Sequence, residues 1–173
     1  KCSRRVLASN RILMNPLLQS VQLAIKDGTQ VEAIAYIDKL VDFCIANENG
    51  RVLPGWPREL IQLLVAYHIA KNTLVAEEDK DGKIEGLAMW YHCDKDEDDS
   101  LITEWKPDNK DGDAIFIGFL NAVNNNAFKS ITRKFLTLCP DSMHKKIIMM
   151  RHRLGVPTRV QSTHKLFTKI LTI

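Results

Sequence analysis

The chain has little of what marks several large protein classes. It is 173 residues long and contains only 8 glycines, 6 prolines and 4 cysteines. With 45% hydrophobic and 26% charged residues, its composition excludes collagen-like, low-complexity and largely disordered chains. A chain of this length suits one domain with a small terminal appendage. The composition therefore indicates a globular protein that buries a substantial core.

Long apolar runs are also missing. No stretch reaches the roughly 18 apolar residues that a membrane-spanning helix needs. The opening residues, KCSRRVLASN, lack the apolar part of a signal peptide, so we expect a cytoplasmic protein without a membrane partner. The cysteines are far apart and form no CxxC pair. This spacing favours reduced cysteines that mostly fill the core, and no metal site is expected.

The net charge is only +3, but the charges are unevenly distributed along the chain. Residues 77–113 contain 14 acidic and 5 basic residues, whereas residues 129–173 contain 10 basic residues and one acidic residue. The basic end suits a nonspecific, salt-sensitive contact with a polyanion. The acidic loops can equally fold against the basic end and neutralise it internally. Both alternatives stay open at this point.

The first 50 residues differ in pattern from the rest. Residues 15–48 predict two helices separated at Asp27-Gly28, and apolar residues of the second helix recur at helical spacing from Val31 to Cys44. Such a stripe must be covered by the domain, by a protein partner or by a second copy of the chain. We therefore expect a helical appendage over residues 1–50 and a separate domain over residues 51–173.

The pattern changes after Pro57, where the sequence predicts the order helix, strand, strand, strand, helix, strand, helix. The first two strands are joined at Asp81-Gly82, a pair that favours a hairpin turn. The nearly continuous apolar run AIFIGFLNAV predicts a central strand covered on both faces. A further short strand is predicted at TRVQ. The fold class is therefore α/β of the α+β kind, with a mixed, mainly antiparallel sheet flanked by helices.

This order of elements is similar to that of the GNAT acyltransferase fold. Trp56-Pro57, Trp90, Glu104-Trp105 and Gly112-Asp113 stand at places that resemble the toxin-activating lysine acyltransferases of haemolysin operons. In that family, a Trp-Pro opens a helix, and an acidic-Trp pair precedes Gly-Asp and an aromatic-rich strand. The resemblance covers about residues 50–155. It implies transfer of an acyl group from acetyl-CoA or an acyl carrier protein to an amine.

Both catalytic positions of that family differ here. The family's histidine precedes the Trp-Pro, where this chain has residues 52–55, VLPG. The family's aspartate lies on the central strand, at the position that matches Gly118. None of these residues transfers a proton through its side chain. The resemblance therefore implies a scaffold for acyl transfer without the family's catalytic pair.

The resemblance places the acyl donor at the splayed end of the central strand and at the start of the helix that follows. The glycines that cradle pyrophosphate in ordinary acetyl-CoA enzymes of this fold are absent from residues 124–130, although Lys129 and Ser130 suit a phosphate. A plain Asn cap with an exposed lysine is the structural alternative. The candidate donor-binding residues are Phe119, Leu120, Asn121, Asn126, Ala127, Lys129 and Ser130.

His92 and Glu104 are the candidate catalytic residues. His92 ends the second hairpin strand, and Glu104 is the carboxylate closest to the Trp105 segment. Because neighbouring strand residues point to opposite faces, His92 and Cys93 cannot act together in a straight strand. A core cysteine beside a surface histidine, and a surface salt bridge at Glu104, are the structural alternatives.

Two functions are compatible with these residues. The first is an acyltransferase that uses a thioester donor and an amine acceptor. The second is a catalytically silent module that keeps the scaffold and binds a protein or a polyanion, as expected when every catalytic position is lost. Domains of this fold also occur in phage-encoded proteins, so a phage origin is compatible with both functions.

Overall fold

The computed structural model describes residues 21–23, 25, 31–47, 53, 55–94, 109–153 and 156–162, and the structural statements below concern these residues. Residues 21–23 and 25 are helical. The other elements, in chain order, are α1 (Val31–Asn47), α2 (Arg58–Lys71), β1 (Leu74–Glu78), β2 (Ile84–Cys93), β3 (Ala114–Ala122), α3 (Asn125–Leu138), a short 3-10 helix (Pro140–His144), β4 (Lys146–Arg153) and β5 (Val156–Ser162).

Local sequence explains where several of these elements begin and end. Pro57 precedes α2, where its missing N–H costs no helical hydrogen bond. The helix ends at Asn72, which adopts the left-handed backbone that asparagine tolerates (φ 58°). The predicted hairpin turn forms between β1 and β2, with Gly82 at φ 76°. The Asp79 carboxylate accepts hydrogen bonds there from the backbone N–H groups of Asp81 and Lys83, both at 2.9 Å.

The five strands form one sheet in the order β1-β2-β3-β4-β5. β3 and β4 are parallel, and the other three neighbouring pairs are antiparallel. The predicted α+β class is therefore confirmed, with the run AIFIGFLNAV in the middle of the sheet. The predicted short strand at TRVQ belongs to a longer strand, β5, which lies at one edge of the sheet.

Helices cover both faces of the sheet. On one face, residues of α1 and α2, such as Leu40 and Val65, share a core with Leu87 and Met89 of β2. On the other face, α3 packs against a second core that includes Trp90. Although α1 shares its core with α2 and the sheet, the predicted domain boundary after residue 50 stays a prediction.

Three of the four cysteines lie within the described residues. Cys44, Cys93 and Cys139 are buried and form no disulfide, which fits their predicted place in the core. Glu104, most of the acidic loop at 94–100 and the predicted last helix lie outside the described residues. Among the helices that are described, none has the length and apolarity needed to cross a bilayer.

Candidate functional site

A β-bulge at Gly118 interrupts the central strand. Phe119 pairs with Met89 and Ile117 pairs with Trp90, so Gly118 is an extra residue with no partner on β2. The bulge changes which face the side chains occupy. Ile117 belongs to the core under α3, whereas Phe119, two residues later, belongs to the core under α1 and α2. The resemblance places an aspartate at this glycine, so the missing carboxylate falls at a backbone irregularity.

The parallel strands β3 and β4 stop pairing at the same place. Their paired residues run from Ala114 to Ile117 on β3 and from Lys146 to Met149 on β4. β3 nevertheless continues to Ala122 and β4 to Arg153. We call residues 118–122 of β3, with the facing residues 150–153 of β4, the strand divergence. It lies where the resemblance implies a splayed end of the central strand.

In the strand divergence, some backbone hydrogen-bonding groups of β3 point toward β4, although β4 no longer pairs with this part of β3. The Val123 N–H donates to the carbonyl of Glu85 in β2 at 2.8 Å, so the backbone groups of Val123 face β2. Backbone groups of successive strand residues point alternately to the two sides. The N–H and C=O of Leu120 and Ala122 therefore point toward β4, beyond the last residues with which β4 pairs. Backbone polar groups need partners, so these groups suit an extended ligand that carries amides.

Helix α3 starts immediately after the strand divergence. Asn124 caps the helix, and its side-chain oxygen accepts from the Ala127 N–H at 2.8 Å. Asn125 and Asn126 are exposed, and Lys129 is half-buried at the beginning of the second turn. The arrangement is the plain Asn cap that the sequence offered as the structural alternative. It also leaves the positive end of a helix dipole beside the end of β3.

Two of the candidate donor-binding residues make contacts that hold α3 against the sheet. Ala127 is 2% exposed and packs close to Gly86 of β2. The Ser130 hydroxyl donates to the Glu77 carboxylate of β1 at 2.6 Å. Burial raises the pKa of Glu77, but hydrogen bonds from Lys134 and Ser130 outweigh it and hold that pKa below its ordinary value. Both positions therefore fasten α3 to the sheet.

The side chains of the candidate donor-binding residues on β3 serve mainly to hold the fold together. Phe119 is buried in the core under α1 and α2. The Asn121 amide donates to the Asn47 carbonyl, so it satisfies an orphan group at the end of α1. Leu120 is half-buried against the core under α3. Leu120 thus contributes mainly its backbone to the strand divergence.

Tyr91 lies beside the bulge, and its ring occupies the space next to Gly118. A Cβ atom at Gly118 would lie 3.3 Å from Tyr91 Cε1 and 4.0 Å from its hydroxyl oxygen. The ring packs on Phe116 at a centroid distance of 5.2 Å and stacks with His68 at 6.2 Å. Sequence analysis missed Tyr91. The one signal was a glycine inside a strand, which marks a bulge or a close approach without identifying the neighbour.

His92 lies toward the other end of the sheet, in a cluster on the α3 face. Its ring nitrogens lie 3.9 Å from Cys139 Sγ and 3.5 Å from Lys145 Nζ, and Lys145 also pairs with Asp141 at 2.9 Å. Burial raises the pKa of the Cys139 thiol to about 12, so the thiol stays protonated and weakly nucleophilic at neutral pH. Cys93 is buried while its neighbour His92 is partly exposed, which agrees with the structural alternative for this pair.

The structure does not bring His92 next to the strand divergence. His92 pairs with Ile115, and Gly118, where the strand divergence begins, lies three residues farther along β3. At 3.3 Å per residue, this separation is roughly 10 Å along the strand, and because neighbouring strand residues point to opposite faces, the His92 side chain lies on the face opposite Tyr91. The second candidate, Glu104, lies outside the described residues. Within the described chain, no group of three or more His, Cys, Asp or Glu side chains is placed to hold a metal ion.

A cleft of about 620 Å³ opens near the end of β3, between α1 and the β1–β2 hairpin. Val123 and Ile84 supply apolar surface. The charges of Lys39 and Lys83 are balanced by two aspartates, so the lining has no formal net charge to attract a polyanion. The lining residues are Lys39, Asp42, Phe43, Ala46, Asn47, Asp81, Gly82, Lys83, Ile84 and Val123.

A comparison with models of known protein families finds no match to this chain, and a comparison with curated proteins also finds none.

Proposed function

We propose that this protein binds an acyl thioester, carried by coenzyme A or by an acyl carrier protein, at the strand divergence and transfers the acyl group to an amine. The main observation behind this proposal is that β3 and β4 stop pairing after Ile117 and Met149, although both strands continue. In this proposal, the chain is a divergent relative of the GNAT acyltransferases.

The backbone of β3 supports recognition of the donor. Both kinds of donor carry the acyl group on a pantetheine arm, an extended chain that contains two amides. The backbone groups of Leu120 and Ala122 point to the side where β4 diverges. An extended amide chain can pair with such groups as an added strand does. This mode of binding needs no particular side chain, so it is consistent with the packing roles of Phe119 and Asn121.

The start of α3 supports recognition of the phosphate end of the donor. The exposed residues Asn125 and Asn126 place the first N–H groups of the helix just beyond β3. A helix N-terminus favours anions, because its first N–H groups lack intrahelical partners and its dipole end is positive. Lys129 adds one formal charge nearby. A pantetheine arm along residues 118–122 leads directly toward this helix start.

The proposed reaction depends on holding the thioester and the amine in the correct relative position. Residues 52–55 and Gly118 supply neither a side-chain base nor a carboxylate where the resemblance places them. Thioesters react with amines without a covalent enzyme intermediate, and holding two reactants in line lowers the barrier by several kcal/mol. We therefore expect slow transfer that depends on orientation of the donor by the strand divergence.

A catalytically silent binding module is the second candidate function. Two observations favour it: the His92 side chain lies on the face of the sheet opposite Tyr91, and α2 carries an exposed apolar stripe. Leu63 of this stripe is 68% exposed, and Leu60, Tyr67 and the preceding Trp56 flank it. Apolar residues at helical spacing on an outer face suit a protein partner. In this function, the fold presents a surface and transfers nothing.

Donor binding and acyl transfer separate these two functions. The purified chain is mixed with acetyl-CoA, a longer acyl-CoA or an acyl-loaded carrier protein, and its melting temperature is measured. A donor at 100 times its Kd should stabilise the protein by about 2.7 kcal/mol. Formation of an amide with a panel of small amines then reports transfer. Stabilisation without transfer supports a silent module, and no stabilisation by any donor contradicts the proposal.

The variant Ala122→Pro makes the binding test specific to the strand divergence. Proline removes the N–H that points toward β4 and leaves the ladder on the β2 side intact. Ala122→Ser is the matched control because it keeps that N–H. We expect Ala122→Pro to weaken donor binding about tenfold, and the serine variant to bind like the parent. Equal affinity of all three proteins would place the donor elsewhere.

A further inference from the structure

We infer that the Tyr91 hydroxyl donates a hydrogen bond to the thioester carbonyl of the acyl donor, at the point where β3 and β4 separate. This inference rests on the proposed function and names a residue that the family resemblance does not supply.

The phenol of Tyr91 lies beside Gly118, at the start of the strand divergence. Gly118 directly follows Ile117, the last residue of β3 that pairs with β4. Tyr91 extends from β2 over this glycine, with its ring edge 3.3 Å and its hydroxyl oxygen 4.0 Å from the position of a Cβ atom. The hydroxyl therefore lies over the start of the strand divergence. A side chain at position 118 would fill the space between this hydroxyl and the backbone.

The Tyr91 ring is held in place, and among the described residues its hydroxyl has no hydrogen-bond partner. Tyr91 packs on Phe116 and stacks with His68, whose Nδ1 lies 2.8 Å from the Thr73 hydroxyl. Tyr91 keeps 8% of its surface exposed. By contrast, the buried Tyr36 hydroxyl pairs with Glu78. A fixed, unpartnered donor suits a ligand oxygen.

The chemistry of acyl transfer gives this donor a role. The amine nitrogen bonds to the thioester carbon, the carbon–sulfur bond breaks, and the proton lost by the amine ends on the leaving thiol. Negative charge develops on the carbonyl oxygen during this exchange, and a fixed hydrogen-bond donor stabilises it. Burial raises the pKa of Tyr91 above that of an ordinary phenol, so the hydroxyl keeps its proton at neutral and mildly basic pH. Tyr91 is thus a donor throughout and transfers no proton.

The test compares the parent with Tyr91→Phe, which keeps the ring and removes only the hydroxyl. Tyr67→Phe, on the exposed side of α2, is the matched control. The probes are acetyl-CoA and coenzyme A, which share the pantetheine arm but differ in the thioester carbonyl. We expect Tyr91→Phe to bind coenzyme A like the parent and acetyl-CoA several-fold more weakly. Acetyl transfer to hydroxylamine should fall roughly 100-fold, and the control should match the parent throughout.

A spectroscopic measurement makes the test independent of turnover. Acetyl-CoA labelled with ¹³C at the carbonyl is bound to each protein, and the carbonyl stretching frequency is recorded. A hydrogen bond from Tyr91 lowers this frequency in the parent, and Tyr91→Phe should restore the value of the free thioester. A structural role for the ring predicts the same frequency in both proteins.

The outcomes separate the two proposals. Selective weakening of acetyl-CoA binding together with the frequency change supports the role of Tyr91. If the parent binds acetyl-CoA and Tyr91→Phe equals it in affinity, rate and frequency, only the inference about Tyr91 is overturned. If the parent binds neither probe, donor recognition through the pantetheine of coenzyme A fails, and the inference fails with it.

Discussion

Lys134 of α3 forms an ion pair with Glu77 of β1, with 2.6 Å between the ammonium nitrogen and the carboxylate oxygen. Lys134 also donates to the Ala76 carbonyl at 2.8 Å, and Ser130 donates to the same carboxylate oxygen. Both charged side chains are about one-quarter exposed. This group of contacts joins the helix after β3 to an edge strand, so it fixes the middle of α3 relative to the sheet.

The first prediction concerns the pH dependence of this ion pair. The pKa of Glu77 is lowered in the folded protein, so its contribution to stability is complete above the unfolded pKa of about 4.3 and is lost as the pH falls through the folded pKa. Glu77→Gln should cost about 1 to 2 kcal/mol at pH 7 and less at pH 3. Urea denaturation at both pH values measures this difference. Asp111→Asn, on an exposed turn, is the control, and an unchanged cost at pH 3 would contradict the account.

The second prediction concerns Gly112, which lies against the end of β2. A Cβ atom there would overlap the backbone carbonyl of Cys93 and lie 3.0 Å from the Asn109 carbonyl. Backbone cannot yield as a flexible side chain does, so Gly112→Ala should destabilise the protein by about 3 kcal/mol or more. Its neighbour Asp111 is exposed, and Asp111→Ala should change stability by less than about 0.5 kcal/mol. Chemical denaturation of both variants measures these two changes in stability. Equal stabilities of Gly112→Ala and Asp111→Ala would show that the turn can move to accommodate the new side chain.

Most of the elements could be predicted from local pattern alone. The run AIFIGFLNAV is apolar on both faces because α1 and α2 cover one side and α3 covers the other. Asp81-Gly82 favours its turn because glycine adopts a positive φ at no steric cost. These signals involve residues close together in sequence, so composition and periodicity were sufficient.

The candidate site was harder to predict, because its features depend on contacts between distant residues. Ser130 is suited to a phosphate in isolation, but the fold places it opposite Glu77, 53 positions earlier in the chain. Asn121 similarly caps α1 from 74 positions away. The bulge at Gly118 depends on the register with β2, which a single strand does not specify. His92 is chemically suitable, but only the folded structure shows its side chain beside Cys139 and Lys145, on the face opposite Tyr91.

The third prediction concerns Gly118 and the ring of Tyr91. A valine at position 118 must displace that ring, so Gly118→Val should cost about 1 to 3 kcal/mol and abolish donor binding. A double-mutant cycle with Tyr91→Ala tests the cause of the cost. If the ring is the obstacle, Gly118→Val costs clearly less stability in the Tyr91→Ala background than in the parent. An equal cost in both backgrounds would place the obstacle elsewhere.

The fourth prediction concerns the contact between Asn121 and α1. Asn121→Ala leaves the Asn47 carbonyl without its side-chain donor, so it should cost about 1 to 2 kcal/mol. The loss should be local, with faster amide exchange in the last turn of α1 than in α2. Asn125→Ala, at an exposed position, serves as the control. Uniform changes in exchange across both helices would mean that Asn121 supports the whole fold and has no specific link to α1.

Amide hydrogen exchange along β3, measured with and without acetyl-CoA, tests the central claim about the strand divergence most directly. The amides of Ile115 and Ile117 lie in the paired part of β3, whereas those of Leu120 and Ala122 point toward β4 beyond its last pair. Without ligand, we expect slow exchange at Ile115 and Ile117 and faster exchange at Leu120 and Ala122. Saturating acetyl-CoA should slow exchange at Leu120 and Ala122 roughly tenfold or more and leave the paired amides nearly unchanged. Binding of acetyl-CoA without added protection at Leu120 and Ala122 would contradict the account.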